Sequence, residues 1–117
     1  MITIESHVIP TTNAQRKSRW ASWFDLSGRR YTFHFTFNNR HNAWLLSIVD
    51  VNGNLLIAGV RLIPGIYILE KYRASSPGLP PGELVLVDLE GNMATAEVTR
   101  ENLSVRFALT YQIIREE

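Results

Sequence analysis

The chain has 117 residues, 45% of them hydrophobic, and 12 lysines and arginines against 11 aspartates and glutamates leave a formal net charge of +1. A charge so close to zero does not single out nucleic acid, a membrane surface or an acidic protein as the partner. The absence of cysteine excludes disulfides, thiolate metal sites and cysteine nucleophiles, and it suits a reducing compartment.

The chain shows neither a targeting segment nor a membrane span. Residues 1–10 lack the basic start and apolar stretch of a signal peptide. No apolar run approaches the roughly 20 residues that a membrane-spanning helix needs. We therefore expect a soluble protein without a membrane partner, folded as one β domain over residues 1–117.

Apolar and polar residues alternate with a period of two in nearly every segment, and no segment keeps helical spacing for three turns. This pattern predicts an all-β fold, a small antiparallel barrel or sandwich built from consecutive hairpins. The first strand alternates Ile2, Ile4 and Val8 with polar residues and ends at Pro10. A polar N-terminal segment follows at about 11–18.

The first predicted hairpin turns at Ser27 and Gly28, because a glycine accepts the positive φ that a two-residue turn requires. The resulting register pairs Asp25 with Arg30, Phe24 with Tyr31, Ser22 with Phe33 and Trp20 with Phe35. One face of the hairpin is then almost entirely aromatic, and a shift of one residue would destroy the pattern on both faces.

The second predicted hairpin turns at Asn52 and Gly53, a pair that suits a type I′ turn. Its expected pairs are Val49 with Leu56, Ser47 with Ala58 and Leu45 with Val60 on one face, and Ile48 with Ile57 and Trp44 with Arg61 on the other. Both faces are largely apolar, which predicts a closed barrel, a sandwich or burial against another subunit.

The segment 74–82 contains three prolines, so it is expected to be an exposed loop with extended backbone. Residues 83–89 and 94–99 then predict a third hairpin around Gly91 and Asn92, with Val85 opposite Val98 and Val87 opposite Ala96. One helical turn capped by Thr99 is expected after it.

The last predicted strand has the clearest alternation in the chain. Its apolar face consists of Val105, Phe107, Leu109, Tyr111 and Ile113. Burial of five such side chains contributes about 10 kcal/mol before conformational entropy is subtracted. This strand is therefore predicted to be central to the fold.

Residue types that could support chemistry are present, but their spacing favours structural roles. The histidines are His7, His34 and His41, and they share no metal-ligand spacing. Asp88 and Glu90 lie two residues apart, as an acid and base pair could, but they precede a turn in which acidic residues are common. Ser27 lacks the context of a nucleophile elbow. The sequence predicts no catalytic, cofactor or metal site, and hence no enzyme.

A second interpretation comes from basic residues close to aromatic ones. The basic residues are Arg16, Lys17, Arg19, Arg29 and Arg30, and the aromatic ones are Trp20, Trp23 and Phe24. Such a set on a small OB-like β-barrel could bind single-stranded nucleic acid by charge and stacking. The balanced net charge and the assignment of most of these aromatics to the core favour no specific nucleic-acid binding.

A longer series of positions resembles the baseplate plug family of contractile-tailed phages, which includes a cyanophage plug protein. The matching positions are Phe24-Asp25-Leu26-x-Gly28-x-x-Tyr31, Asn38, Trp44-x-Leu46-x-Ile48-x-Asp50-x-x-Gly53-x-x-Leu56-x-x-Gly59, Leu62, Pro80-x-Gly82-x-Leu84, Asp88 and Leu109-x-Tyr111. The series carries no catalytic signature.

The resemblance implies a structural virion protein at the centre of the tail baseplate, made in the host cytoplasm. There it would contact hub and tail-tube proteins and close the distal end of the tail tube. Several copies would surround the tail axis, with three favoured over six.

Overall fold

The computed structural model describes residues 2–91 and 98–116 and, at the C-terminal end, side chains up to residue 113. The strands are β1 (Ile2–Ile9), β2 (Arg19–Leu26), β3 (Arg29–Asn38), β4 (Ala43–Asp50), β5 (Leu55–Arg61), β6 (Glu83–Asp88) and β7 (Phe107–Glu116). Short 3₁₀ helices, Thr12–Gln15 and Glu70–Tyr72, lie in the connections.

The strands form two antiparallel sheets, one with the order β1-β7-β6 and one with the order β2-β3-β4-β5. Buried side chains from both sheets belong to one hydrophobic core. The all-β prediction is confirmed, and of the two architectures expected the protein adopts the sandwich, not the closed barrel.

The β2–β3 hairpin has the predicted register at every pair from the turn to Trp20 and Phe35. Ser27 and Gly28 have φ values of 54° and 83°, the positive values that the tight turn requires. The aromatic face of β3 lies inside, where Phe33 and Phe35 are completely buried. Local turn chemistry and burial therefore favour the same register.

The β4–β5 hairpin differs from the prediction at its turn. Gly53 has a φ of 85°, whereas Asn52 keeps a negative φ, so the turn is not type I′. The backbone N–H of Asp50 instead donates to Asn54 O at 2.9 Å, which closes a three-residue loop. The carboxylate of Asp50 accepts the N–H groups of Asn52 and Asn54 at 2.9 and 2.8 Å. The hydrogen bond from the Asn54 backbone, the largest cause, lowers the pKa of Asp50.

The longer loop and two register shifts along the ladder change most of the pairs in this hairpin. Ile48 faces Ile57 as predicted, but Val49 faces Leu55, Leu46 faces Val60 and Leu45 faces Arg61. The predicted pairs of Val49 with Leu56, Leu45 with Val60 and Trp44 with Arg61 are therefore wrong. The pair of Ser47 with Ala58 is also wrong, because the register shifts there and Ser47 Oγ accepts the N–H of Gly59 at 2.8 Å.

The predicted pair of Val85 with Val98 in the third hairpin is wrong, because β6 pairs with β7 on one edge and is bonded to the segment 64–68 on the other. Val85 lies opposite Thr110 and Val87 opposite Ala108. Val98 is not in a strand, and Ala96 lies outside the described residues. Leu84, Val85 and Leu86 are all buried, and such a continuous apolar run is typical of a strand that is covered on both faces. The expected cap is present, since Thr99 Oγ1 accepts the N–H of Asn102 at 3.3 Å.

β7 is the central strand of its sheet, as predicted. Phe107, Leu109 and Tyr111 are at most 1% exposed. Val105 was predicted to share their face but is 61% exposed, because the strand begins only at Phe107. The chain turns just before β7, where the N–H groups of Val105 and Arg106 both donate to Asn102 O.

The proline-rich loop 74–82 is exposed in part. Ala74, Ser75 and Pro77 are exposed, whereas Leu79 and Gly82 are buried. The guanidinium of Arg73 holds the end of the loop by donating to the carbonyls of residues 80 and 82 and to the carboxylate of residue 83. The loop is thus fixed to the sandwich at its C-terminal end.

The hydroxyl of Tyr111 joins this loop to both sheets. It accepts the backbone N–H of Gly82 at 2.8 Å and lies 2.9 Å from Ser27 Oγ in the β2–β3 turn. Tyr111 itself belongs to β7, in the other sheet. One side chain therefore connects the loop, the three-stranded sheet and the turn of the four-stranded sheet.

Candidate interaction surfaces

Asp88 and Glu90 form an ion-pair network with Arg106. The Asp88 side chain is completely buried. Its Oδ1 accepts a hydrogen bond from Arg106 Nε at 3.0 Å, and its Oδ2 accepts one from Arg106 Nη2 at 3.1 Å. Glu90 Oε2 lies 3.2 Å from Arg106 Nε. The hydrogen bond to Asp88, the largest cause, raises the pKa of Arg106. A buried carboxylate held in this way anchors the turn after β6.

The three histidines lie on separate parts of the surface. His7 is an exposed residue of β1, with its Nε2 3.9 Å from Glu5 Oε2. His34 is exposed on the outer face of β3, and His41 is exposed in the loop after β3. Within residues 2–91 and 98–116, no group of three histidine or acidic side chains is placed to hold a metal ion.

The aromatic residues of the predicted basic and aromatic set are mostly internal. Trp20 is stacked on Phe35 with ring centroids 4.5 Å apart, and Phe24 packs edge-on against Phe33. Trp23 is 56% exposed, but the guanidinium of Arg30 lies 3.9 Å above its ring. Trp23 is thus the member of this set that presents a ring to solvent.

Trp23 is also the start of an apolar row across the outer face of the four-stranded sheet. The ladder places Trp23, Thr32, Val49 and Leu55 next to one another, and we call these four residues the Trp23 row. Leu55 is 60% exposed. The row contains Val49, which was predicted to lie on the second apolar face of the β4–β5 hairpin, and the residues at its two ends, Trp23 and Leu55, are exposed.

A second apolar surface lies on β1 and was not predicted. Ile2, Ile4 and Val8 are 70%, 62% and 66% exposed. Ile9 is buried, so the residues of β1 that alternate with Ile9 face outward, and this orientation follows from the pairing of β1 with β7 and not from the sequence alone. Ile4 and Tyr67 line a groove of about 290 Å³ on this side.

None of the helices in the described part of the chain has the length and apolar character to cross a membrane.

A comparison with protein families gives a match over most of the chain. The family described as cyanophage baseplate Pam3 plug gp18 matches residues 8–113. The chain belongs to this family. A comparison with curated proteins finds no match. As a baseplate plug family member, the protein is a structural component of the phage virion and not an enzyme. It occupies the tail baseplate, in association with other baseplate proteins.

Proposed function

We propose that the protein is the plug at the centre of the baseplate hub, where it closes the distal end of the tail tube. Its partners are hub and tail-tube proteins, and it reaches the virion after synthesis in the host cytoplasm. The symmetry of the plug follows that of the hub it fills, and we favour three copies over six around the tail axis. The family match over residues 8–113 is the observation that carries this proposal.

The sandwich has the surface that such a role needs. The Trp23 row places an exposed tryptophan and leucine on a regular sheet, where backbone hydrogen bonds hold them in fixed positions. Apolar residues and aromatics are enriched in the cores of protein interfaces. Asp25 and Arg30 flank the row as an exposed ion pair 3.7 Å apart, as polar residues do at an interface rim.

Mass spectrometry of purified virions tests the location. The protein should be present in intact particles in a fixed ratio to the hub protein, and three copies should surround the tail axis in a cryo-electron microscopy map. Deletion of the gene should give particles with a defective tail tip. If the protein is abundant in infected cells but absent from intact particles, the plug proposal fails, and a chaperone or regulatory role becomes the better hypothesis.

Leu55→Glu tests the contact with the hub. A carboxylate in the Trp23 row should weaken binding of the purified protein to purified hub protein by about tenfold or more, because a buried interface charge needs a partner. Val105→Glu is the matched control, since Val105 is equally exposed at 61% but lies outside the row. Equal binding of both variants and the unchanged protein would assign the hub contact to another surface.

We further propose that the protein has no specific nucleic-acid partner. The exposed ring of Trp23 is already covered by Arg30, and Trp20 is only 7% exposed. Stacking of successive bases requires several accessible rings. Submicromolar binding of single-stranded DNA at physiological salt, lost when Arg29 and Arg30 are changed to alanine, would instead favour the nucleic-acid interpretation.

A further inference from the structure

Within the described residues, β1 forms an open edge of the three-stranded sheet. The opposite edge, β6, is covered by the segment 64–68, where Gly65 N–H donates to Leu86 O at 3.0 Å and Ile68 N–H donates to Leu84 O at 2.9 Å. Among the described residues, no backbone hydrogen bond outside the β1–β7 ladder reaches β1. Of the devices that usually protect an edge, proline, lysine and bulges are absent from the strand, and a charged side chain is present in Glu5.

The hydrogen bonds between β6 and the segment 64–68 show which residues of β7 form backbone hydrogen bonds with β6. The carbonyls of Leu84 and Leu86 point away from β7, toward the segment 64–68. The backbone N–H and C=O groups of successive residues in a strand point to opposite sides, so those of Glu83 and Val85 point toward β7. In the ladder, Glu83 lies opposite Gln112, Val85 opposite Thr110 and Val87 opposite Ala108. These β7 residues are therefore bonded to β6.

The intervening residues of β7 bond to β1. Tyr111, Leu109 and Ile113 lie opposite His7, Ile9 and Glu5. The backbone groups of these three β1 residues are consequently used inside the sheet. The N–H and C=O groups of Ile4, Ser6 and Val8 point to the open edge, and the side chains of Ile4 and Val8 lie exposed beside them.

β1 is complementary to itself about Ser6. Counting outward from Ser6, Glu5 corresponds to His7, Ile4 to Val8 and Thr3 to Ile9. In an antiparallel pair of two β1 strands centred on Ser6, Ile4 of each copy lies opposite Val8 of the other as a hydrogen-bonded pair. Glu5 then lies opposite His7 of the second copy as a non-hydrogen-bonded pair, the type that brings side chains closest together.

We propose that two copies of this chain pair through their β1 edges about a two-fold axis at Ser6, which joins the two three-stranded sheets into one six-stranded sheet. A register shifted by one residue fails, because it places the outward-pointing backbone groups of one copy opposite residues such as His7 in the other copy. The backbone groups of His7 are already bonded to β7. A register shifted by two residues fails as well, since it places Glu5 opposite Glu5 or His7 opposite His7. The charges and the direction of the backbone groups thus select one register and a second copy as the occupant.

The two-fold dimer belongs to the free protein and goes beyond the proposed function. A phage tail has different proximal and distal ends, so it has no two-fold axis perpendicular to its length. The pairing of two β1 strands is therefore separate from the arrangement of the copies in the baseplate. Residues 2–7 also lie outside the part of the chain that the family matches. The dimer therefore stands on the geometry of this chain's own β1.

Sedimentation equilibrium of the full chain over a concentration series tests the proposal. The protein should be a dimer at high concentration and dissociate on dilution. His7→Glu places two carboxylates opposite each other and should raise the dissociation constant by about tenfold or more. His41→Glu makes the same charge change at an exposed loop residue and should leave the dissociation constant unchanged. A protein that is monomeric at every concentration, or a dimer insensitive to His7→Glu, would overturn the proposal.

Two further variants separate a lost interface from a lost fold. Ser6→Pro removes an N–H that points to the open edge, so it should abolish the dimer while the circular dichroism spectrum and melting temperature stay near those of the unchanged protein. The double variant Glu5→Lys with His7→Lys should be monomeric alone but should form a heterodimer with His7→Glu. Failure of this mixture to associate would overturn the pairing, and the baseplate proposal would be unaffected.

Discussion

Gly82→Ala is expected to lower the free energy of unfolding by about 3 kcal/mol or more, because the new methyl group has no space. A Cβ at this position would lie 2.5 Å from Gln112 O and 2.6 Å from Tyr111 Cζ. The first atom belongs to the backbone of the central strand and the second to a ring that is 1% exposed, so neither can move cheaply. The clash would also disturb the hydrogen bond from Gly82 N–H to the Tyr111 hydroxyl.

Gly78→Ala is the matched control in the same loop. The nearest atom to its Cβ is Leu56 Cδ2 at 3.3 Å, the end of a side chain that can rotate. The expected loss is below about 1 kcal/mol. Chemical denaturation of both variants measures the difference, and equal losses would show that the packing around Gly82 does not hold the loop.

Arg106→Met is expected to destabilise the protein by about 3 kcal/mol, because it leaves a buried carboxylate without its cation. The Asp88 side chain is 0% exposed, whereas that of Arg106 is 27% exposed. The cost therefore falls mainly on Asp88, which cannot regain full hydration in the folded state. The free energy of unfolding from a urea titration is the measurement.

A double variant isolates the contribution of the pair. Asp88→Leu combined with Arg106→Met removes both charges, so its loss of stability should be smaller than the sum of the two single losses. Asp88 Oδ1 also accepts the Glu90 N–H at 3.0 Å, and the double variant still loses that bond. Strictly additive losses would contradict a coupled ion pair.

The sequence predicted the β2–β3 hairpin completely because all of its determinants are local. Ser27 and Gly28 define the turn, and the alternation of aromatic residues independently favours the same register. The β4–β5 turn has a local determinant that was missed. The carboxylate of Asp50 accepts two backbone N–H groups and stabilises a longer loop than the Asn52-Gly53 pair alone suggests.

The sequence could not give the partners of β6 and β1. Alternation shows that a segment is a strand, but it does not say which distant strand it pairs with. Both strands pair with β7, whose contacts depend on the whole core. The exposed face of β1 was missed for the same reason, since the inward face follows from the pairing of Ile9 with Leu109. The family, by contrast, could be recognised from an ordered series of turn and core positions.

The pairing of β1 with β7 sets the order in which the chain can fold as it is synthesised. The four strands from β2 to β5 are consecutive, so their sheet can form hairpin by hairpin while the chain is still on the ribosome. β1 leaves the ribosome before the strands β2 to β6, but its partner β7 leaves after them. We therefore expect the three-stranded sheet to be completed last, with a long-range loop closure that is slower than the formation of the local hairpins. Until β7 emerges, β1 has no native partner within its own chain.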